Sequence, residues 1–160
     1  MEFEESPEIV DGLAAKTVSG GYSLTPGNCI EAEGNTLYKE KSGRWGSIPG
    51  HIVVNKKSKY IWRIFVEEPM TMIADVSYNF QGKDGDCVIS INAAGSRITQ
   101  AAKHTGQVIV EAGNWNFDNF GSHRIGTINF SEPGYYDINL EVTPNKDEEI
   151  GFQWMWLKKQ

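Results

Sequence analysis

Cysteine, basic charge, histidine pairs and long apolar runs are all scarce in this sequence, and each shortage closes a class of function. Two cysteines, Cys29 and Cys87, stand in 160 residues. That is too few for a disulfide framework in a chain of this size. Each lies in or beside an expected strand, so two buried free thiols are expected rather than one bridge. Neither has a histidine beside it to make it a nucleophile. Fifteen Lys and Arg against 21 Asp and Glu leave a net charge of −6 and a pI near 5.1, which argues against a nucleic-acid partner. No apolar run reaches membrane-spanning length.

Catalytic patterns are missing too. His51, His104 and His123 are isolated, without metal-ligand spacing, and no Gly-x-Ser-x-Gly elbow occurs. Asp84, Asp86, Asp118 and Asp137 could supply the carboxylate pair of a glycosidase, but spacing selects no pair among them. We therefore expect no enzyme: no catalytic residue and no metal ligand is assigned. The segment Gln81-Gly-Lys-Asp-Gly-Asp86 lacks the full EF-hand pattern and reads as a turn. The N-terminus has neither a basic nor an apolar leader. That fits a cytosolic protein, a chain trimmed of its export signal, or a domain of a larger protein equally.

What is present is alternation. From Tyr60 to Phe80 the chain reads as two strands joined at Glu67-Glu68-Pro69. Tyr60, Trp62, Ile64 and Val66 share one face, as do Met70, Met72, Ala74, Val76, Tyr78 and Phe80. Thr71, Asp75, Ser77 and Asn79 point the other way, because successive strand side chains alternate between faces. Helical spacing does not fit. Tyr136, Ile138, Leu140 and Val142 make another inward stripe. The last strand, on the same count, carries Ile150, Phe152, Trp154 and Trp156 on its core face. Shorter strands are expected at Cys29–Glu33, Thr36–Lys39, His51–Asn55, Cys87–Ile91, Arg97–Thr99, Val108–Val110 and Arg124–Phe130. Seventeen glycines and six prolines, scattered along the chain, suit many tight turns. Ser42–Gly50 and Gly113–Gly121 read as loops.

About ten short strands with almost no helix specify an all-β antiparallel sandwich or barrel. A hydrophobic content of 39% with 11% aromatics is enough for a packed core and excludes a disordered chain. We expect a tail or linker over 1–27 and one β-sandwich domain over 28–160. The acidic residues crowded near the N-terminus read as a solvated tail rather than a site.

Several pieces, in order, resemble carbohydrate-binding modules of the CBM6/CBM35 kind. Cys29-Ile-Glu-Ala-Glu33 is similar to their Glu-Ala-Glu opening, and Tyr60–Val66 with Met70–Phe80 to their central pair. Trp115, Gly126–Phe130 and Pro133–Leu140 are similar to the later run, and Phe152–Leu157 to the closing strand. Together they cover about residues 28–158. The resemblance implies a galactose-binding-like jelly-roll β-sandwich of the sort appended to bacterial fucosidases and other glycoside hydrolases. It also implies a secreted, periplasmic or cell-surface location and a non-catalytic role on glycans. Such modules often carry a structural calcium held by the first-strand glutamates and an aspartate in the last strand. Here the aligned place holds Gln153 or Met155, so Glu31 and Glu33 stand alone, calcium is disfavoured and no cofactor is expected.

Sugar recognition needs an aromatic plate for the ring face and fixed polar groups for the hydroxyls. Two glycine-bounded segments offer that mixture: Arg44-Trp45 and Asn114-Trp-Asn-Phe-Asp-Asn-Phe120. The expected ligand-binding residues are Arg44, Trp45, Asn114, Trp115, Asn116 and Asp118, with Trp45 stacking. Trp115 fits a core place as well as a flanking one, and the asparagines also suit turn backbone. Phe120, Tyr78, Trp62, Trp154 and Trp156 are assigned to the core. Asp75, Ser77 and Asn79 fit either a solvated face or a groove across the sheet. The alternative function is a structural or interaction domain that docks a glycoside hydrolase catalytic domain or another partner without binding sugar.

Overall fold

The computed structural model describes residues 13, 14, 16, 17, 19–43, 46–110 and 115–160, with the strand residues of 38–49 and 108–118 described at backbone level. Among the described residues thirteen strands follow one another: β1 (Tyr22–Leu24), β2 (Glu31–Glu33), β3 (Tyr38–Gly43), β4 (Gly46–Val54), β5 (Ser58–Val66), β6 (Met70–Phe80), β7 (Cys87–Ala93), β8 (Ser96–Ala101), β9 (Gln107–Val110), β10 (Trp115–Asp118), β11 (Gly121–Phe130), β12 (Gly134–Pro144) and β13 (Ile150–Lys159). The only described helix is a single 3-10 turn over Pro26–Asn28. Five strands form one antiparallel sheet in the order β2-β5-β12-β7-β8. The second sheet runs β11-β6-β13-β4-β3, with β1 filling the edge of β13 beyond β4, and β9 and β10 pair as a separate hairpin. The fold is the antiparallel jelly-roll sandwich.

Alternation decides which faces meet. Tyr60, Trp62, Ile64 and Val66 of β5 are buried against Met72, Ala74, Val76, Tyr78 and Phe80 of β6. Ile138, Leu140 and Val142 of β12 extend the same layer. Trp62 is fully buried and its indole Nε1 donates to the Thr25 carbonyl at 2.7 Å, which removes the cost of burying that donor. Tyr60 stacks on Phe152 across the two sheets with ring centroids 5.5 Å apart. Cys87 is buried and Cys29 half-buried, and both are free thiols.

Four expectations need correction. First, β13 does not keep one alternation. Phe152 pairs with Tyr78 but Trp154 with Ser77, so Gln153 is an extra residue in a β-bulge. The bulge moves the phase by one, and Met155 and Leu157 fill the core while Trp156 stays 44% exposed and Trp154 half-buried. Second, Ser42–Gly50 is not a loop but largely strand: β3 and β4 form a hairpin. Lys39 pairs with His51 and Lys41 with Ile48, leaving Pro49-Gly50 as a bulge, the place in a sheet where a residue without an N–H is tolerated. Third, part of Gly113–Gly121 is also strand, since β10 pairs with β9 from Trp115↔Val110 to Asp118↔Gln107. Fourth, the sandwich starts before residue 28. Tyr22 and Leu24 of β1 and Ala14 are core residues, and β1 pairs with β13 from Tyr22↔Leu157 to Leu24↔Met155.

Candidate functional site

The two segments expected to touch sugar fall on or beside the β3–β4 and β9–β10 hairpins. Arg44, Trp45 and Asn114 lie outside the described residues, and Trp115, Asn116 and Asp118 are placed as backbone of β10. What the structure defines closely is where the two hairpins are rooted, and the roots meet.

The meeting point is the outer surface of the six-stranded sheet at the C-terminal end of β6. Gly151 of β13 pairs with Asn79 of β6 on one side and Val53 of β4 on the other. Directly over Gly151 lies the ring of Phe120, the second of the two residues linking β10 to β11; a Cβ on Gly151 would stand 3.2 Å from that ring. The His51 ring of β4 packs on Phe120 at a centroid distance of 5.1 Å. One aromatic contact therefore ties the β3–β4 root to the β9–β10 root, and glycine at 151 is what lets the ring down onto the sheet.

Asn79 holds the β9–β10 root from beneath. Its side-chain nitrogen is within hydrogen-bond distance of Thr105 Oγ1 (2.9 Å), the Asn119 carbonyl (3.0 Å) and the Gly106 carbonyl (3.2 Å). Thr105 Oγ1 also accepts from the Phe80 amide at 2.9 Å, and Asn119 Nδ2 donates to the Thr105 carbonyl at 2.9 Å. The strands that enter and leave the hairpin are thus clamped to β6 by one buried amide. Alternation marks Asn79 as outward-facing; this network, invisible in alternation, is why Asn79 is buried. Ser77, one step back, donates to Gln153 Oε1 at 2.8 Å, so the bulge residue is fixed as well.

The outer face of the five-stranded sheet is of a different kind. Arg63 of β5 forms a two-point contact with Asp137 of β12, Nε to Oδ1 at 2.8 Å and Nη2 to Oδ2 at 3.3 Å. Beside it Asn92, Arg97, Asp137 and Asn139 line an open groove of about 410 Å³. In the next row of the same face, two residues along each strand, Phe65 and Tyr135 meet edge-to-face at 5.0 Å, exposed at 39% and 66%. Among the described residues no group of three or more His, Cys, Asp or Glu is gathered as a metal would need. Glu31 and Glu33 are exposed on the edge strand β2, in the opposite sheet from Gln153 and Met155. No described helix is long and apolar enough to cross a membrane.

Comparison with known proteins starts from this geometry. No family model matches the chain and no curated protein matches it in sequence. Solved structures do match in fold. A CBM6 carbohydrate-binding module of Cellvibrio mixtus lichenase 5A, solved in complex with cellotriose, is similar at a TM-score of 0.61 and 12% identity over 86% of this chain and 96% of that one. The C-terminal CBM6 of the laminarinase LamC from Zobellia galactanivorans is similar at a TM-score of 0.56 and 12% identity, over 87% of this chain and 99% of that one. The insecticidal crystal protein Cry2Aa is similar at a TM-score of 0.64 and 14% identity over 91% of this chain. The chain spans only 22% of that protein's length. The likeness to the CBM6 modules is therefore one of a whole independent domain, and at these identities it is a likeness of fold.

Proposed function

We propose that this chain is a non-catalytic carbohydrate-binding or accessory module of a glycan-degrading system, working outside the cytoplasm on a secreted, periplasmic or cell-surface enzyme. The ligand sits across the β3–β4 and β9–β10 hairpins. Trp45 stacks on a sugar ring, Arg44, Asn114, Asn116 and Asp118 bond its hydroxyls, and Trp115 flanks it.

The observation that carries this reading is the shared root. Two hairpins more than sixty residues apart are rooted side by side, joined by the His51–Phe120 contact above Gly151, and Asn79 clamps the β9–β10 root. A rigid base under two polar-aromatic hairpins is what a small pre-organised site requires. Fold supports it too, since whole CBM6 modules share the sandwich and one is described as a cellotriose complex. A site across two hairpins buries little ligand surface, so single-site affinity is weak.

The test is a calorimetric and glycan-array screen of the protein and Trp45→Ala, with fucosylated, galactosylated, β-glucan and xylan-type glycans, with and without calcium. Binding that disappears in the variant at an unchanged melting temperature supports the site. No binding to any glycan overturns it.

One observation favours the second reading, a docking domain. Phe65 and Tyr135 form an exposed apolar pair on the opposite sheet. In that case a Tyr135→Ser variant weakens attachment to a catalytic domain and leaves glycan binding untouched.

A further inference from the structure

Trp156 should have been a core residue and is not, and its surroundings are built. The Gln153 bulge turns Trp154 and Trp156 to the outer face of the six-stranded sheet, two residues apart and so about 7 Å along one strand. Trp156 pairs directly with Asp75 of β6, which in turn pairs with Arg124 of β11. A single row thus crosses the sheet: cation, carboxylate, indole. Lys158, the next outward residue of β13, reaches back to Asp75 Oδ2 at 2.9 Å and stands 5.2 Å from the Trp156 ring centroid.

The charges in this row do not cancel. Asp75 is buried, its side chain 8% exposed, whereas Arg124 and Lys158 are exposed at 64% and 44%. One carboxylate beneath the surface therefore orients two cations above it, with one positive charge in excess on a protein that is acidic overall. Asp75 Oδ1 has no hydrogen-bond donor; Arg124 Nε stands 3.6 Å away. A cleft of about 190 Å³ opens beside the indole, lined by Thr17, Ser19, Tyr22, Trp156 and Lys158.

We infer that this row is a second saccharide site, separate from the two hairpins, and that it takes an acidic sugar unit, a uronate or a sulfate ester. The sugar ring lies on Trp156. Its anionic group pairs with Lys158 and Arg124, exposed cations already turned outward. As Arg124 moves out onto the anion, Asp75 Oδ1 is opened to a sugar hydroxyl, which donates to it. An apolar protein partner does not fit this row, because its aromatic surface is confined to the indoles and bordered at once by the charges of Lys158, Asp75 and Arg124. The inference shares the saccharide reading above but uses other residues, so the two stand or fall separately.

The experiment is affinity electrophoresis through gels containing polygalacturonate (uronate), dextran sulfate (sulfate ester), neutral laminarin, or single-stranded DNA. The variants are Trp156→Ala, Arg124→Gln/Lys158→Gln and Trp45→Ala. The expected result is retardation by one or both acidic polysaccharides, weakened about tenfold by Trp156→Ala at an unchanged unfolding midpoint and about tenfold by the double variant, whose midpoint falls because the buried Asp75 loses its cations. Which of the two polymers retards the protein identifies the anion. No retardation by either, retardation indifferent to Trp156, or equal retardation by DNA overturns the inference. Loss of laminarin binding in Trp45→Ala with acidic retardation intact separates the two sites. Absence of laminarin binding throughout, with acidic retardation intact, removes the hairpin reading alone.

Discussion

Replacing Asn79 by alanine is the sharpest test of how the hairpin root is held. Asn79 is buried on the outer face of β6, and its amide nitrogen serves Thr105 Oγ1, the Asn119 carbonyl and the Gly106 carbonyl. Alanine keeps the strand and removes all three. A hydrogen bond contributes about 1 kcal/mol net, and a buried acceptor left without a donor costs about 1–3 kcal/mol. The Gly106 carbonyl keeps donors from Gln81 Nε2 at 2.5 Å and the Asn119 amide at 3.2 Å, and Thr105 Oγ1 keeps the Phe80 amide at 2.9 Å, so these two losses are partly covered and the Asn119 carbonyl carries most of the cost. The sum is about 2–3 kcal/mol, which for a domain of this size lowers the melting temperature by about 5–10 °C. Urea unfolding of wild type and Asn79→Ala at one pH measures it, with Ser122→Ala, on an exposed position of neighbouring β11, as control. Glycan binding at the hairpins should fall more than stability does, because the root of one hairpin is released while the core is intact. A change in unfolding free energy below about 0.5 kcal/mol, or binding unaltered in a destabilised variant, refutes the clamp.

Other expectations follow from burial and backbone. Trp156→Phe should remove a large share of the acrylamide-quenchable tryptophan fluorescence, since Trp156 is 44% exposed while Trp62 is fully buried; an unchanged quenching curve would return Trp156 to the core. Gly21→Ala should cost about 2–4 kcal/mol in urea unfolding, because a Cβ there would lie 2.4 Å from the Leu157 carbonyl oxygen, backbone that cannot swing aside; a neutral outcome would mean that β1 is not seated on β13. Burial pushes the Cys87 thiol and the Tyr60 phenol each up to about 12, from 9.0 and 10.0 in a solvated chain. The unfolded chain therefore sheds those protons first, so the stability they lend is complete below about pH 9 and drains away as pH rises from 9 towards 12. Urea midpoints measured from pH 7 to 11 should show that fall, with a shallower slope in Cys87→Ala; a flat profile contradicts it. Cys87 should also resist Ellman's reagent in the native protein and react on unfolding.

How much of this was legible beforehand depends on whether a residue's partner lies on its own strand. β5, β6 and β12 obey period two without interruption, and so their inward stripes, Tyr60 to Val66, Met72 to Phe80 and Ile138 to Val142, could be read directly. β13 could not. A bulge leaves no mark in composition, and counting through Gln153 as a regular step sent two tryptophans into a core that Met155 and Leu157 occupy. β1 is three residues long, too short to show a period, and the glycines and Pro49 that read as loop in β3–β4 mark instead a bulged hairpin. The polar residues of β6 were harder still. Alternation correctly places Asp75, Ser77 and Asn79 outside the sandwich, yet all three are buried, because other segments are laid over them: Gln153 on Ser77, the β9–β10 root on Asn79, Arg124 and Lys158 on Asp75. Period two says which face a side chain is on, never what covers that face. A buried polar side chain on the outer face of a sheet is therefore a record of long-range contacts, which is why alternation alone left Asp75, Ser77 and Asn79 open between a solvated face and a groove across the sheet.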